Sequence, residues 1–134
     1  MTQVVLIDGE EQSKITIFNR NMQFGDGLFE TCVAQKNKIL FWPNHFARLN
    51  IGCERLNIKK VNESDWMNDL NKAFALFDHS NCIVKLILSR GESLRGYGYK
   101  GDITPVRVVI ISEMKKTVVN NSFSLEYSDS GYHS

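Results

Sequence analysis

The sequence has few of the features that mark secreted, metal-binding or dithiol proteins. It contains only three cysteines, Cys32, Cys53 and Cys82, and no C-x-x-C pair. Their odd number and wide spacing argue against a zinc site and against a dithiol centre. Unpaired thiols are typical of a reducing compartment, so we expect a cytoplasmic protein in which the three cysteines are small core residues.

Long apolar runs and an excess of charge of one sign are also absent. No apolar segment is long enough to span a bilayer, and the start of the chain lacks the charged and apolar regions of a signal peptide. The net charge is only +1, which gives no electrostatic reason to expect nucleic acid or a membrane surface as a partner.

The composition that remains is that of an ordinary globular domain. Hydrophobic residues make up 43% of the chain and charged residues 23%, so the chain can bury a core. No repeat, low-complexity segment or internal linker divides it. We expect one domain over residues 1–127, followed by a polar, turn-like tail at residues 128–134.

Short apolar segments separated by turn residues predict a sheet. Val4 to Ile7 ends at Asp8-Gly9, a strong hairpin signal, and Ile15 and Ile17 alternate with polar residues as the expected return strand. The β-branched segment Val106 to Ser112 is predicted to be a central strand. Other predicted strands cover residues 28–34, 39–42, 82–89 and 122–127.

Two segments carry apolar residues at helical spacing. The first covers about residues 45–57 and follows Pro43-Asn44, which offers an N-cap. The second begins after a cap at Asn62, and its buried stripe runs from Trp66 to Phe77. Strands, two helices and further strands, in that order, predict a two-layer α+β domain, with a mostly antiparallel or mixed sheet and two helices packed on one face.

Two glycine patterns match nucleotide-binding motifs only in part. Gly96 to Gly101 fits G-x-G-x-x-G, but a β-branched strand follows instead of the helix that would hold a pyrophosphate. Gly91 to Gly96 has the glycine spacing of a P-loop, but Tyr97-Gly98 stands where the lysine and hydroxyl residue belong. We therefore reject both nucleotide-binding interpretations.

Other candidate residues carry weaker signals. Arg90 and Arg95 flank the glycine-rich loop, and arginine grips carboxylate or phosphate at two points, so the pair hints at an anion site. Arg48, on the rim of the first helix, is by itself best interpreted as a solvated charge. Phe29, after Gly25-Asp26-Gly27, is by itself best interpreted as a core residue.

The histidines and carboxylates give no catalytic or metal-binding pattern. His45, His79 and His133 are scattered along the chain, and we interpret them as ordinary surface histidines. No serine or cysteine stands in a recognisable nucleophile motif, and the carboxylates lack metal-ligand spacing. From the residues alone, the sequence predicts an α+β domain with an anion-binding loop.

Three blocks of sequence resemble the class IV aminotransferases, which are pyridoxal-phosphate enzymes of fold type IV. Asn19 to Thr31 resembles the D-R-x-x-Q-(F/Y)-G-D-G-x-F-E-T motif. His45 to Leu49, with Cys53 to Leu56, resembles the H-x-x-R-L…A-x-x-L helix. Leu88 to Gly91 and Leu94 to Tyr97 resemble the S/T-R-G…R-G-Y loop of the aminodeoxychorismate lyases in that family. The blocks occur in the family's order and approximate spacing.

The resemblance implies a fold, a cofactor and a set of binding residues. It implies a two-domain homodimer that holds pyridoxal 5'-phosphate between its domains and acts on a small-molecule substrate. By this resemblance Arg48 binds the cofactor phosphate. Phe24 and Phe29 line the substrate pocket, and Arg95 and Tyr97 bear on the substrate carboxylate.

The resemblance also implies a part that this sequence does not contain. The lysine that carries the cofactor stands in an A-G-x-K-x-like segment after the first domain, and none of the lysines here has that context. We therefore expect no catalytic residue in this chain and place the lysine beyond Ser134. Residues 1–127 would be the N-terminal domain and residues 128–134 the start of the interdomain segment, with the second domain absent.

The parent activity implied by the loop is a lyase of folate biosynthesis that cleaves 4-amino-4-deoxychorismate to p-aminobenzoate and pyruvate. The piece by itself is expected to be inactive. The alternatives are a class IV aminotransferase for D-amino or branched-chain amino acids and a non-catalytic dimerising domain. Val33 stands where branched-chain enzymes often carry arginine, which argues against that subfamily. Asn19 departs from the aspartate that opens the family motif.

Overall fold

A computed structural model describes residues 3–93 and 103–114. Its elements, in chain order, are β1 (Gln3–Ile7), β2 (Glu10–Glu11), α1 (Arg20–Phe24), β3 (Gly27–Gln35), β4 (Lys38–Ile39), α2 (Trp42–Leu56), α3 (Glu63–Leu76), β5 (Asn81–Ser89) and β6 (Val106–Glu113). The predicted strand at residues 122–127, the boundary at residue 127, Arg95 and Tyr97 lie outside the described residues. None of the described helices has the length and hydropathy to cross a bilayer.

The strands form one six-stranded sheet in the order β2-β1-β6-β5-β3-β4. Every described pairing is antiparallel. The longest runs from Gly27 opposite Ser89 to Gln35 opposite Asn81. Strand β6 lies between β1 and β5, which confirms the prediction that Val106 to Ser112 is central. The predicted two-layer α+β architecture is also confirmed.

The main core lies between the sheet and the two long helices. Alternate residues of the strands point toward α2 and α3, because a strand sends successive side chains to opposite faces. The helices contribute apolar residues at helical spacing. Fully buried members of this core include Leu6, Cys32, Ala34, Leu49, Trp66, Leu70, Val84, Leu86, Val109 and Ile111.

All three cysteines belong to this core, as predicted. Cys32 on β3, Cys53 on α2 and Cys82 on β5 expose 0%, 2% and 1% of their surfaces. Burial disfavours the thiolate, so it raises the pKa of Cys32 to about 12 and that of Cys82 to about 11. The thiols are therefore small apolar core groups rather than nucleophiles.

The opposite face of the sheet is also apolar, and neither α2 nor α3 packs on it. We call it the open face. Ile7, Val106 and Val108 form a second cluster there, packed only against further strand residues. Phe29 lies on the same face and is 61% exposed. The expectation that Phe29 belongs to the core is therefore wrong.

Two local expectations fail at turns. The return strand after β1 is Glu10–Glu11, whereas Ile15 and Ile17 lie outside any strand and are 43% and 61% exposed. Strand β4 ends at Ile39, and Phe41, with φ 60°, turns the chain into α2 at Trp42. The predicted strand at residues 39–42 and cap at Asn44 are thus wrong, because a left-handed residue starts the helix earlier. The predicted N-cap position at Asn62 is confirmed, although the Asn62 side chain makes no capping hydrogen bond.

Candidate functional site

The side chains of the family motif that lie on β3 alternate between the two sides of the sheet. Glu30 points toward α2 and is 4% exposed. Phe29 and Thr31, its neighbours in sequence, point to the open face because side chains alternate along a strand. Within the F-E-T segment, Glu30 therefore faces the helix layer, whereas Phe29 and Thr31 face the opposite side of the sheet.

Glu30 is the centre of a small buried polar group that includes His45 and Arg48 of α2. Oε1 of Glu30 accepts hydrogen bonds from Nη2 of Arg48 at 3.1 Å and from Nε at 3.3 Å. The same oxygen lies 2.7 Å from Nδ1 of His45. A buried carboxylate is costly unless it is paired and hydrogen-bonded, and these two partners satisfy that need.

His45 is only 2% exposed, so its interpretation as a surface histidine is wrong. Its Nδ1 also lies 3.2 Å from Nη2 of Arg48, so the histidine touches both members of the ion pair. Its Nε2 atom is buried and has no hydrogen-bond partner within the described part of the chain. His79, by contrast, is 42% exposed and lies 4.0 Å from a carboxylate oxygen of Glu113.

Arg48 differs from its partners in being partly exposed. Its side chain retains 32% of its accessible surface, against 5% for Glu30 and 2% for His45. Nε and Nη2 face Glu30, whereas Nη1 has no bond to any residue of the described ranges. A guanidinium held along one edge can present its other edge to an anion in a fixed geometry. Arg48 therefore fits a phosphate group.

A second charged group joins the first and third of the sequence blocks that resemble the family. Oδ2 of Asp26 accepts hydrogen bonds from Nε of Arg20 at 2.9 Å and from Nε of Arg90 at 2.8 Å. Arg90 also donates to the carbonyl oxygens of Leu56 and Asn57, at 2.6 and 2.9 Å, where α2 ends. A cation at the carboxyl end of a helix complements its dipole. The hint that Arg90 binds an external anion is therefore wrong.

Hydrogen bonding controls the ionisation of Asp26. Partial burial alone would raise its pKa, but hydrogen bonds from Arg90 and Arg20, together with their charges, outweigh burial and lower the pKa below its usual value of 3.8. Asp26 is thus held as a carboxylate between two buried arginines.

Beside this second charged group, hydrogen bonds also connect Asn19, Ser89 and Gly91. Oδ1 of Asn19 accepts from the backbone N–H of Asn21 at 2.9 Å and from Oγ of Ser89 at 2.6 Å. Oγ of Ser89 in turn accepts from the N–H of Gly91 at 3.1 Å. Nδ2 of Asn19 is buried without a partner among the described residues. It stands where an aspartate, as in the family motif, would place an oxygen.

The glycines of the motifs allow the backbone to pass closely near the same residues. A Cβ on Gly27 would lie 2.7 Å from the carbonyl oxygen of Leu88, and one on Gly91 would lie 2.5 Å from that of Thr104. Gly91 also has φ 135°, which side chains rarely tolerate. These two positions therefore require glycine. The close approach of Gly27 to Leu88 packs the first sequence block directly against the third.

The two phenylalanines predicted to line a substrate pocket are both accessible. Phe24, at the end of α1, is 41% exposed and lies 4.9 Å from Cζ of Arg20. Nζ of Lys85 lies 5.0 Å from the ring centroid of Phe29. Phe29 and Arg48 are on different sides of β3, so the described residues do not by themselves place the two in one pocket. Arg95 and Tyr97 lie outside those residues.

Sequence reasoning missed the pairing of Glu30 and His45 with Arg48, and it missed the exposed Lys85 beside Phe29. The signal for Glu30 was its place in F-E-T, where it interrupts an apolar alternation. Lys85 similarly interrupts the apolar strand β5. Neither signal identifies a partner, because the contacts of Glu30 and Lys85 come from other elements of the chain.

Comparison with known proteins agrees with these motifs. Residues 27–122 match the family model of amino-transferase class IV. An aminodeoxychorismate lyase from Vibrio harveyi is 29% identical over 122 residues, covering 90% of this chain and 41% of the relative. The crystal structure of 4-amino-4-deoxychorismate lyase from Pseudomonas aeruginosa superposes with a TM-score of 0.71 at 32% identity, covering 79% of this chain and 38% of that one.

The likeness of fold extends further than the likeness of sequence. A branched-chain amino acid aminotransferase from Escherichia coli has a TM-score of 0.74 at only 10% identity, covering 85% of this chain and 40% of that one. The chain spans about two fifths of the length of these relatives. The family model covers well over half of the chain. By its sequence and its fold, the chain belongs to the class IV aminotransferase family.

Proposed function

We propose that this chain is the N-terminal domain of a pyridoxal-phosphate-dependent lyase that cleaves 4-amino-4-deoxychorismate to p-aminobenzoate and pyruvate. The observation that carries the cofactor assignment is the partly exposed guanidinium of Arg48, held on one edge by buried Glu30. The likeness to two lyases of that name, from Vibrio harveyi and Pseudomonas aeruginosa, supports the choice of reaction.

In this proposal Arg48 holds the phosphate of the cofactor. Glu30 fixes the direction of the guanidinium, and His45 fills the space behind it, so the positive charge meets the phosphate without reorganising. When bound, pyridoxal phosphate supplies an electron sink for bond cleavage next to the substrate nitrogen. The ten lysines of the sequence lack the A-G-x-K-x-like context of the cofactor-carrying lysine, so the domain alone is expected to be inactive.

Substrate binding is assigned to the open face and the glycine-rich loop. Phe24 and Phe29 present accessible rings that exclude water from one side of a bound substrate. Arg95 and Tyr97 are proposed to contact a substrate carboxylate, as the family loop implies. The apolar open face favours association with a second copy or a further domain, so we propose a homodimer acting in the cytoplasm.

The cofactor assignment can be tested on the chain itself. Arg48→Gln removes the proposed phosphate ligand, whereas Arg55→Gln removes an exposed arginine of the same helix and serves as the control. Equilibrium dialysis with pyridoxal phosphate should show at least about a tenfold loss of affinity for Arg48→Gln, because charged hydrogen bonds to phosphate are strong. Equal affinity in both variants would contradict the assignment.

The reaction can be tested on a polypeptide that extends this chain through the lysine-bearing domain. Loaded with pyridoxal phosphate and given 4-amino-4-deoxychorismate, it should release p-aminobenzoate and pyruvate in equal amounts. Failure to form p-aminobenzoate would remove the lyase assignment. Accumulation of the amine form of the cofactor with D-amino or branched-chain amino acids would instead identify an aminotransferase.

A non-catalytic dimerising domain is the second candidate, and the uncovered apolar sheet face favours it. The same dialysis experiment separates the two candidates. Binding of pyridoxal phosphate that depends on Arg48 supports the enzyme domain. Stable dimers without such binding support the non-catalytic domain.

A further inference from the structure

Lys85 occupies an unusual position at the middle of the open face. It lies on β5, opposite Thr31 of β3 on one side and opposite Ile110 of β6 on the other. Along its own strand the neighbours on the same face are Ile83 and Ile87, because alternate residues share a face. An exposed lysine thus lies among three isoleucines and one threonine on this face.

The strands that surround Lys85 in the described sheet supply no carboxylate to balance this charge. Strand register places no aspartate or glutamate of β1, β3, β5 or β6 on this side of the described sheet. Glu30 and Glu113 are members of these strands, but both alternate to the side of the helices. Lys85 is therefore the only charged residue that these four strands contribute to the face.

Two other lysines of the described ranges, Lys60 and Lys72, form ion pairs. Nζ of Lys60 donates to Glu54 at 2.7 Å, and Nζ of Lys72 lies 3.7 Å from a carboxylate oxygen of Glu10. Nζ of Lys85 instead lies 5.0 Å from the centroid of Phe29 and has no ion-pair partner among residues 3–93 and 103–114. The ring holds the ammonium by a cation–π contact and leaves its hydrogen-bond donors available.

We propose that Lys85, with Phe29 and the hydroxyl of Thr31 beside it, forms a subsite for the carboxylate of a cyclic organic acid. The flat ring of such an acid can lie on the apolar side chains while its carboxylate meets the ammonium. Neighbouring apolar groups reduce solvent screening, which strengthens the charge pair relative to an ordinary surface lysine. This inference rests on the proposed function, whose substrate and aromatic product are both cyclic acids.

The test compares an acid with its neutral analogue. The chain, at fixed ionic strength, is titrated with p-aminobenzoate and with p-aminobenzamide, and side-chain ammonium signals are followed by NMR together with the dissociation constants. We expect the wild type to prefer the acid by about fivefold and Lys85→Gln to lose that preference, from the usual strength of partly exposed charge pairs. Lys85→Arg, which keeps the charge, should retain it.

The control is Lys59→Gln, which removes an exposed lysine from the segment between α2 and α3 and should leave the preference unchanged. Equal binding of acid and amide by the wild type would overturn the proposal, and so would a preference that survives in Lys85→Gln. Pyruvate, titrated in the same way, is the acyclic comparison. Tighter binding of pyruvate than of p-aminobenzoate would overturn the assignment to a cyclic acid.

A parallel titration with pyridoxal phosphate separates this inference from the proposed function. Lys85→Gln should bind the cofactor as the wild type does, because Arg48 lies on the other side of β3. If cofactor binding fails in the wild type while the acid preference persists, the proposed function fails and the subsite stands. If Lys85→Gln loses cofactor affinity instead of acid preference, Lys85 is a phosphate ligand and the carboxylate subsite is wrong.

Discussion

Two regions of the molecule bring a carboxylate between two nitrogen-bearing side chains and use it differently. Asp26 lies between Arg20 and Arg90, whose side chains are only 8% and 10% exposed. Glu30 lies between His45, which is 2% exposed, and Arg48, which is 32% exposed. In the first group, which we call the closed group, both cations are buried and the carboxylate is 17% exposed, whereas the second leaves one guanidinium edge in solvent.

The comparison shows that the carboxylate does not determine the role of an ion pair. At Asp26 the charged groups bond to one another and to backbone carbonyls. These bonds connect α1, the start of β3, the end of β5 and the end of α2. At Glu30 the carboxylate is the buried support, and the exposed cation remains available. The exposure of the cation therefore decides whether a charged group stabilises the fold or binds an anion.

The largest effect is expected from breaking the closed group. Asp26→Asn removes the carboxylate that two buried arginines share, which should cost about 3 to 4 kcal/mol in the free energy of unfolding. Urea denaturation followed by circular dichroism measures it. Glu54→Gln removes the partner of exposed Lys60 and is the control, with an expected midpoint equal to that of the wild type. A similar midpoint for both variants would falsify the structural role of Asp26.

A smaller and more selective effect is expected when the same substitution is made at an arginine of each group. Arg90→Gln should cost about 3 kcal/mol, because it also removes the bonds to the end of α2. Arg48→Gln should cost only about 1 kcal/mol, because its charge is partly solvated and His45 still contacts Glu30. Urea denaturation of the two variants tests this order, and equal losses would contradict the comparison.

The closed group should also respond to acid. The folded-state pKa of Asp26 is below that of the unfolded chain, so its stabilisation is complete above about pH 4 and is lost as pH falls through the folded pKa. The difference in unfolding free energy between wild type and Asp26→Asn should therefore shrink below pH 4. A difference that stays constant down to pH 2.5 would mean that the carboxylate carries no such linkage.

The smallest expected effect concerns the open face rather than either charged group. The chain alone should self-associate through its apolar sheet face, and Ile110→Lys should weaken that association by placing a second charge there. Ile51→Lys changes an isoleucine that is 45% exposed on α2 and serves as the control. Light scattering over a concentration series measures the effect. A wild-type chain that remains monomeric throughout would show that this face does not drive association.

Much of the fold could be predicted from the sequence because apolar spacing is a local signal. The period of two along β5 and β6 and the helical stripe of α3 each follow from neighbouring residues. The start of α2 could not be predicted, since it depends on the left-handed backbone of Phe41. Ile15 and Ile17 alternate as a strand would, but the pairing partner of β1 is already supplied by Glu10–Glu11.

The site was less accessible to sequence reasoning because its contacts are distant in the chain. Arg48 was identified only through the family resemblance, and its support by Glu30 joins positions 18 residues apart. The role of Arg90 was misjudged because its partner Asp26 lies 64 residues earlier. Lys85 becomes notable only after strand register shows which residues share its face.

The three buried cysteines have a consequence for following the motions of the domain. They lie on β3, α2 and β5, so they sample both layers of the same core. Burial and the raised pKa values of Cys32 and Cys82, about 12 and 11, keep them unreactive while the core is closed. Labelling at any of them requires the helices and the sheet to separate. The rate of thiol labelling in the native chain therefore reports how often those layers part, with no need for an engineered cysteine.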